Sequence, residues 1–496
     1  MKKWLAALCL VTSIGLGSAA GDASTAAAAA GNIQSYGADY LMKSDGTFWV
    51  WGNYYTVPTQ VQGLTDVKAS IGGQFVVKND GTVWRWERNA ITGLAQFELV
   101  DGVTDAVSVY NQYPDMLFLN AEGKLYRMPQ DRSYPAEEMT GIDNVKEIAG
   151  YYNYKSQKQQ WLLVKKDGSV WTSTDSFHTF VQVTSADHAV DARQNIILKE
   201  DGTVWTFPNE YDPDTVKDPS DDNDPITAVP VEGLKGIASI HYSSYALAAV
   251  DRQARLWFWG RTVSGFSDGT TYHKQAAPIL MSGIKNVKDA YIVERFIIAL
   301  TNDGKLYGGS IETEKLLENQ SFELLASDVE SIVPGGRQII MQKTDGTLWG
   351  WGINKNGELG YGDYEIMYYK PVPMKPPVSI VLNGKPVALS NGAILLNGQA
   401  FIPVRSIFEQ LGATVTWDNT AKIATVTRKQ EGMTPVEITV NYKTGEIKLN
   451  GEAVELPNKP ISSASISYLP LRFISESLGA KVDWFQAEQK IAITME

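Results

Sequence analysis

The feature that most constrains this chain is a five-residue pattern, Asp-Gly-Thr-Val-Trp and its variants. It returns eight times: Asp45 to Trp49, Asp80 to Trp84, Glu122 to Tyr126, Asp167 to Trp171, Asp201 to Trp205, Gln253 to Trp257, Asp303 to Tyr307 and Asp345 to Trp349. The central positions lie 34 to 52 residues apart, with Ala254 replacing glycine in the sixth copy. A period of this size marks a unit that cannot bury its apolar face alone and stacks on copies of itself. In each unit an apolar run such as Phe75-Val76-Val77 enters the Asp-Gly step, where glycine supplies the positive φ of a two-residue hairpin loop. An alternating run such as Val83 to Trp86 leaves it. One short strand precedes the hairpin (Asp66 to Ile71, Asn144 to Ile148, Asn286 to Ala290) and another follows (Pro58 to Leu64, Val229 to Leu234). Four strands repeated radially predict a mainly β chain with a seven- or eight-bladed β-propeller over residues 31–370. Eight blades are preferred from the unit count; seven follow if the first and last units share a blade. Trp49 and Trp51, Trp84 and Trp86, Trp257 and Trp259, and Trp349 and Trp351 are spaced by two, so each pair projects to one side of its sheet and reads as packing between blades.

Residues 1–30 read as a signal peptide and small-residue segment. Lys2 and Lys3 precede an apolar run from Leu5 to Leu16, and small residues follow to Ala30. Thr12, Ser13 and Gly15 interrupt that run well short of the roughly 20 apolar residues a membrane span needs. Cleavage after Ala20 fits, and the alanine run from 26 to 30 offers other sites. The one cysteine, Cys9, would leave with this segment, removing disulfide, structural zinc and thiol chemistry from the mature chain. The expectation is a secreted or cell-surface and cell-wall associated protein with no transmembrane segment in the mature chain. A formal charge of -12 argues against nucleic acid, which needs a concentrated basic surface.

The last unit, Gly335 to Gly352 followed by Asn356-Gly-Glu-Leu-Gly360, resembles the repeat of the regulator of chromosome condensation family, whose propellers usually have seven blades. The other seven units share only its hairpin core. The namesake acts on nucleosomes and a small GTPase, and an exported acidic chain meets neither, so the resemblance implies the fold and not that activity.

Pro371, Pro373, Pro376 and Pro377 predict an extended, semi-rigid linker over residues 371–379. Beyond it, over 380–496, a second duplication appears. Phe401 to Trp417 is matched 67 positions later by Tyr468 to Trp484. In each copy Pro403 or Pro470 opens a short amphipathic helix and Gly412 or Gly479 ends it. Asn383-Gly384, Asn397-Gly398 and Asn450-Gly451 are hairpin turns, giving a small α+β domain of two halves. Arg405 with Glu409 and Arg472 with Glu476 read as exposed i,i+4 ion pairs. This tandem module resembles the copper amine oxidase N-terminal-like, or stalk, domain of secreted and wall-associated proteins from Gram-positive bacteria. The resemblance implies spacing or envelope association. It does not imply an oxidase: His178, His188, His241 and His273 all precede the module, which leaves no histidine there for copper.

Catalytic signatures are absent: no Gly-x-Ser-x-Gly elbow, no phosphate loop, no His-Glu-x-x-His. No catalytic residue and no cofactor is therefore assigned. The acidic run containing Asp218, Asp221, Asp222 and Asp224 is a weak calcium candidate that lacks the order of an EF-hand, and a solvated insertion is the stronger reading. A distributed signal lies between the first and second strands of successive units: Tyr36, Tyr40, Tyr110, Tyr113, Tyr151, Tyr152, Tyr154, Arg193, His241, Tyr242, Tyr245, Arg295 and Arg337. Equivalent loops of a propeller ring one end of its channel, and tyrosine and arginine supply contact area at low entropic cost. The sequence thus predicts a non-enzymatic binding protein for a surface protein or cell-wall polymer. The alternatives are a secreted inhibitor of another enzyme and a carbohydrate-active propeller enzyme.

Overall fold

The computed structural model describes residues 33–53, 55–112, 115–154, 157–173, 177–209, 226–243, 246–265, 269–404, 407–429, 434–463 and 466–495. Among these, eight consecutive four-stranded antiparallel sheets occupy 33–60, 67–104, 106–138, 145–182, 189–230, 237–280, 287–326 and 329–373, each a simple meander. The first and last units each form a complete sheet. An apolar core fills each gap between neighbours. Phe48, Val50, Val76 and Trp86 join the first two sheets, for example, and Val293, Ile298, Ile339 and Trp351 join the last two. The eighth gap returns to the start: Trp49 and Trp51 pack against Ile340 and Leu359, Trp51 Nε1 donates to the Glu358 carbonyl (3.0 Å), and the Tyr36 hydroxyl meets Ser331 Oγ (2.7 Å). The Asn356 to Gly360 segment, present in the last unit alone, closes the ring.

The repeated motif explains itself in the turn, with one difference from expectation. The Asp-Gly step is not a two-residue loop. Gly46 N donates to the Lys43 carbonyl and Lys43 N to that of Thr47, which encloses three residues, and only the glycine takes positive φ. This is the three-residue hairpin that ends on a left-handed glycine. The aspartate then clips the loop. Asp80 Oδ1 accepts from Thr82 N (3.0 Å) and Thr82 Oγ (2.6 Å), Thr82 Oγ accepts from Trp84 Nε1 (2.8 Å), and the Lys78 ammonium stands 4.4 Å above the indole. The same chain recurs at Asp45, Asp167, Asp201 and Asp345. The first tryptophan of each pair therefore bonds its own hairpin, through the turn hydroxyl or, for Trp257, through Asp251, and the second is buried in the core between sheets; Trp49 does both.

A second link sets blade against blade. From the fourth sheet on, the amide opening each sheet reaches back to the preceding turn, as in Val145 N to the Gly123 carbonyl, Ala189 N to Gly168 and Ile237 N to Gly202, each 2.9 Å. Hydrogen bonding thus carries the order of repeats in sequence into the order of blades around the ring.

Pro371 and Pro373, expected in the linker, instead end the strand Met367–Pro373 of the eighth sheet, an outer strand where proline's missing donor is tolerated. The module begins at once, since Val378 already lies in its core. Three sheets surround that core. Asn383-Gly384, Asn397-Gly398 and Asn450-Gly451 all take positive φ at both residues, as expected of these hairpins. Of the two predicted helices, the second forms, Leu471–Ser477, ended by Gly479 at φ +88°. The first is a turn in its described part: the strand ends at Pro403, Val404 N bonds the Ser467 carbonyl, and Leu411 N bonds the Ile407 carbonyl in a single helical turn. The Arg472 to Glu476 pair is exposed and loose at 3.9 Å, whereas Arg405 lies outside the described residues.

The module docks on the first sheet. Asn391 Oδ1 accepts from Thr56 N (3.1 Å), its Nδ2 donates to Thr56 Oγ (2.8 Å), and Gly392 N donates to Thr59 Oγ (2.7 Å). Around these bonds Val57 packs with Ile394, Phe401 and Tyr468. The outer strand Tyr55–Gln60 is buried as a result.

Candidate functional site

The first strands of the second and third sheets, and of the fourth through seventh in succession, adjoin, and in a propeller the first strand of each blade faces the central channel. Each carries an irregularity after its opening residue, and the third position of each strand is Ser35, Ala69, Ser108, Glu147, Asp191, Ser239, Asp289 and Ser331. The position two further on faces the same way and holds Tyr110, Arg193, His241 and Tyr291. Some of these groups pair within a strand and others across blade boundaries. Arg193 pairs with Glu147 of the preceding sheet and with Asp191 of its own (2.9 Å). Tyr291 donates to Asp289 Oδ2 (2.6 Å), and His241 Nε2 lies 2.8 Å from Asp289 Oδ1. The His241 and Tyr291 rings are 4.2 Å apart.

Burial shapes the ionisation of this wall. It raises the Glu147 carboxyl, with Asp191 adding to the rise and Arg193 opposing it. Burial also acts to raise Asp289, but His241 and Tyr291 outweigh it and hold that carboxyl below its usual range. Tyr291 is pushed up by burial and then by its bond to Asp289, so it stays a neutral donor. Three carboxylates, Glu147, Asp191 and Asp289, thus share Arg193, His241 and Tyr291 as their partners in this wall.

The residues expected on a binding face therefore divide. Tyr36, Tyr110, Arg193 and His241 belong to the channel wall. Tyr40 stacks on Phe48 at 5.7 Å, Tyr151 is buried against Phe207, and Tyr242 packs on the core containing Trp259. Arg295 ties two rim loops together by bonding Glu312 (2.7 Å) and the Gly265 carbonyl (2.6 Å), and Arg337 pairs with Glu294 of the neighbouring blade. Tyr152 and Tyr154 differ. Tyr152 is 47% exposed and meets Tyr154 edge-on at 5.5 Å. Asn209 holds their backbone by accepting from Tyr154 N (3.0 Å) and donating to the Tyr152 carbonyl (2.8 Å). Tyr113, Tyr245 and the calcium candidates Asp218, Asp221, Asp222 and Asp224 lie outside the described residues. Among the described residues no three His, Cys, Asp or Glu side chains converge as a metal site.

Sequence reasoning missed Glu147, Asp191, Asp289 and Tyr291. The available signal was columnar: aligned on the irregularity, the third position of all eight first strands is small or acidic.

Residues 381–493 match the copper amine oxidase N-terminal domain. Over 153 residues the chain is 27% identical to the E3 ubiquitin-protein ligase HERC2 of Homo sapiens, and equally to that of Mus musculus; the match covers 27% of this chain and 3% of each ligase. The chain thus spans only a small part of the length of these curated relatives. Among solved structures, Prp20p of Saccharomyces cerevisiae aligns with a TM-score of 0.40 at 12% identity, covering 68% of this chain and 88% of that one. Human WBSCR16 aligns with a TM-score of 0.38 at 15% identity, covering 65% and 86%. The chain joins a β-propeller of repeats like those of the chromosome condensation regulator to a C-terminal copper amine oxidase N-terminal domain.

Proposed function

We propose that this is an exported, surface-associated, non-enzymatic binding protein, whose propeller rim captures a surface protein or wall polymer while the C-terminal module associates with the envelope. The observation that carries the reading is the Tyr152 and Tyr154 pair. Two rings stand at the rim with one half exposed and their backbone pinned by Asn209, whereas Arg193, His241 and Tyr291 of the channel are engaged with neighbouring carboxylates. Rigid exposed tyrosines supply binding area without an ordering cost. The acidic charge of the chain belongs to the propeller side, since residues 378–496 carry 11 basic and 11 acidic side chains.

Capture from cell-surface extract with the mature chain tests this. Changing Tyr152 and Tyr154 together to Ala is expected to abolish capture with thermal unfolding unchanged. Undiminished capture would refute the rim site, and cleavage of a wall polymer by the wild-type chain would refute the non-enzymatic reading.

A further inference from the structure

A cavity of about 830 Å³ opens in the C-terminal module, within the roughly 300–1,000 Å³ typical of small-ligand sites. One wall is aromatic. Trp417 and Tyr442 stand with ring centroids 5.4 Å apart at 59°. Tyr442 is fixed at both ends, its hydroxyl donating to the Tyr468 carbonyl (2.9 Å) and its amide to that of Lys422 (2.9 Å). Beside the rings, Asp418 Oδ1 accepts from Thr420 N (2.8 Å) and Ala421 N (2.9 Å), which shapes a turn presenting Asn419 and Lys422 to the cavity. Lys422 Nζ donates to Asn419 Oδ1 (2.7 Å). That bond occupies the amide's acceptor and orients its two N–H donors, while the ammonium keeps two of its three. Ser462 and Ser467 line the cavity as well, and among the described residues no carboxylate does.

The duplication makes the cavity more telling. Trp484 holds the corresponding place in the second half; both tryptophans pack against the module core, but of the two only Trp417 lines this cavity. Core packing alone accounts for a tryptophan in each half. It does not account for an open aromatic wall beside a cluster of oriented donors in one half only.

The lining selects a ligand with an apolar ring face and a periphery of acceptors. A pyranose fits, because its C–H face carries positive edge charge that is attracted to the negative face of an aromatic ring. Donors in excess of acceptors, one of them cationic, favour carbonyl oxygens around that ring over cationic groups. We propose that this cavity binds a glycan bearing acetamido groups, with one sugar ring on Trp417 and acetamido carbonyls accepting from Asn419 and Lys422. The site is separate from the propeller rim and stands or falls independently of it.

Calorimetric titration of the whole chain with chitotetraose, cellotetraose and a decaproline peptide tests the assignment. Chitotetraose is expected to bind saturably and at least about tenfold tighter than cellotetraose, which lacks the acetamido group. Changing the exposed Asn419 and Lys422 together to Ala is expected to weaken chitotetraose about tenfold or more with an unchanged unfolding midpoint. Trp417→Ala is expected to abolish binding, and Trp417→Phe to restore part of it. The proposal is overturned by absence of saturable heat with chitotetraose, by equal affinity in the Asn419 and Lys422 variant, or by decaproline binding in place of sugar. Loss of sugar binding on changing Tyr152 and Tyr154, with the Trp417 variants unaffected, would place the glycan on the propeller and overturn it equally.

Discussion

Asp39 shows how one aspartate can run against the aspartates of the repeated turn. The turn aspartates Asp80, Asp201 and Asp345 lie below their usual range, held there with their neighbouring threonines as donors, so they stabilise the fold at neutral pH and lose that effect in acid. Asp39, between the first two strands of the first sheet, is instead raised from 3.8 to about 6 by burial. The folded state therefore binds more protons than the unfolded chain between those values, and stability falls as pH rises through that window. Asp39→Asn is expected to stabilise the protein by roughly 2 kcal/mol at pH 7. The gain should fade as pH drops from about 6 and vanish below about 4, which thermal unfolding across this range would check. A gain independent of pH would show that the carboxylate is not the cause.

At the scale of the hairpin, the sixth unit tests why the motif carries glycine. Ala254 occupies the glycine place at φ +58°, a conformation costly for a residue with a Cβ. In the fifth unit a Cβ on Gly202, at φ +80°, would come within 2.8 Å of the Gly236 backbone. Ala254→Gly is expected to raise stability by about 0.5–1 kcal/mol, and Gly202→Ala to lower it by about 2 kcal/mol or more. Urea unfolding measures both, and equal effects would mean that the turn relaxes around the substitution. These hairpins were legible in the sequence because all their determinants lie within seven residues, from Lys78 to Trp84. The loop length was misjudged because Asp-Gly serves both two- and three-residue turns, and only the positive φ of the glycine alone separates them.

For the whole molecule the decisive contact is the seating of the module on the first sheet. Thr56 is buried at this junction, and Asn391 satisfies its amide. Asn391→Ala would strand that amide at a cost of about 2–3 kcal/mol. Calorimetry is expected to show one unfolding transition in the wild type and two in the variant, with faster proteolysis near Met374 to Pro377. A single transition in both would mean that the apolar contacts of Val57, Phe401 and Tyr468 hold the junction alone. A module fixed in this way holds its cavity at one place relative to the rim, which a flexible spacer would not do.

The binding face was only partly legible, for the same reason of range. Tyr110, Arg193 and His241 carry the composition of a binding loop, and nothing local separates them from Tyr152. What consumes them is a partner on another blade: Glu147 is 46 residues from Arg193, and Ser331 is 295 residues from Tyr36. The sequence by itself determined the repeating hairpin, the radial stacking it demands and the duplicated module, because turn chemistry and strand alternation act between near neighbours in the chain. Tertiary structure alone decided which polar residues pair along the channel, that Tyr152 stays exposed at its rim, and where the module docks. Those outcomes depend on pairings such as Thr56 with Asn391, 335 residues apart, whose geometry exists only once the ring has closed.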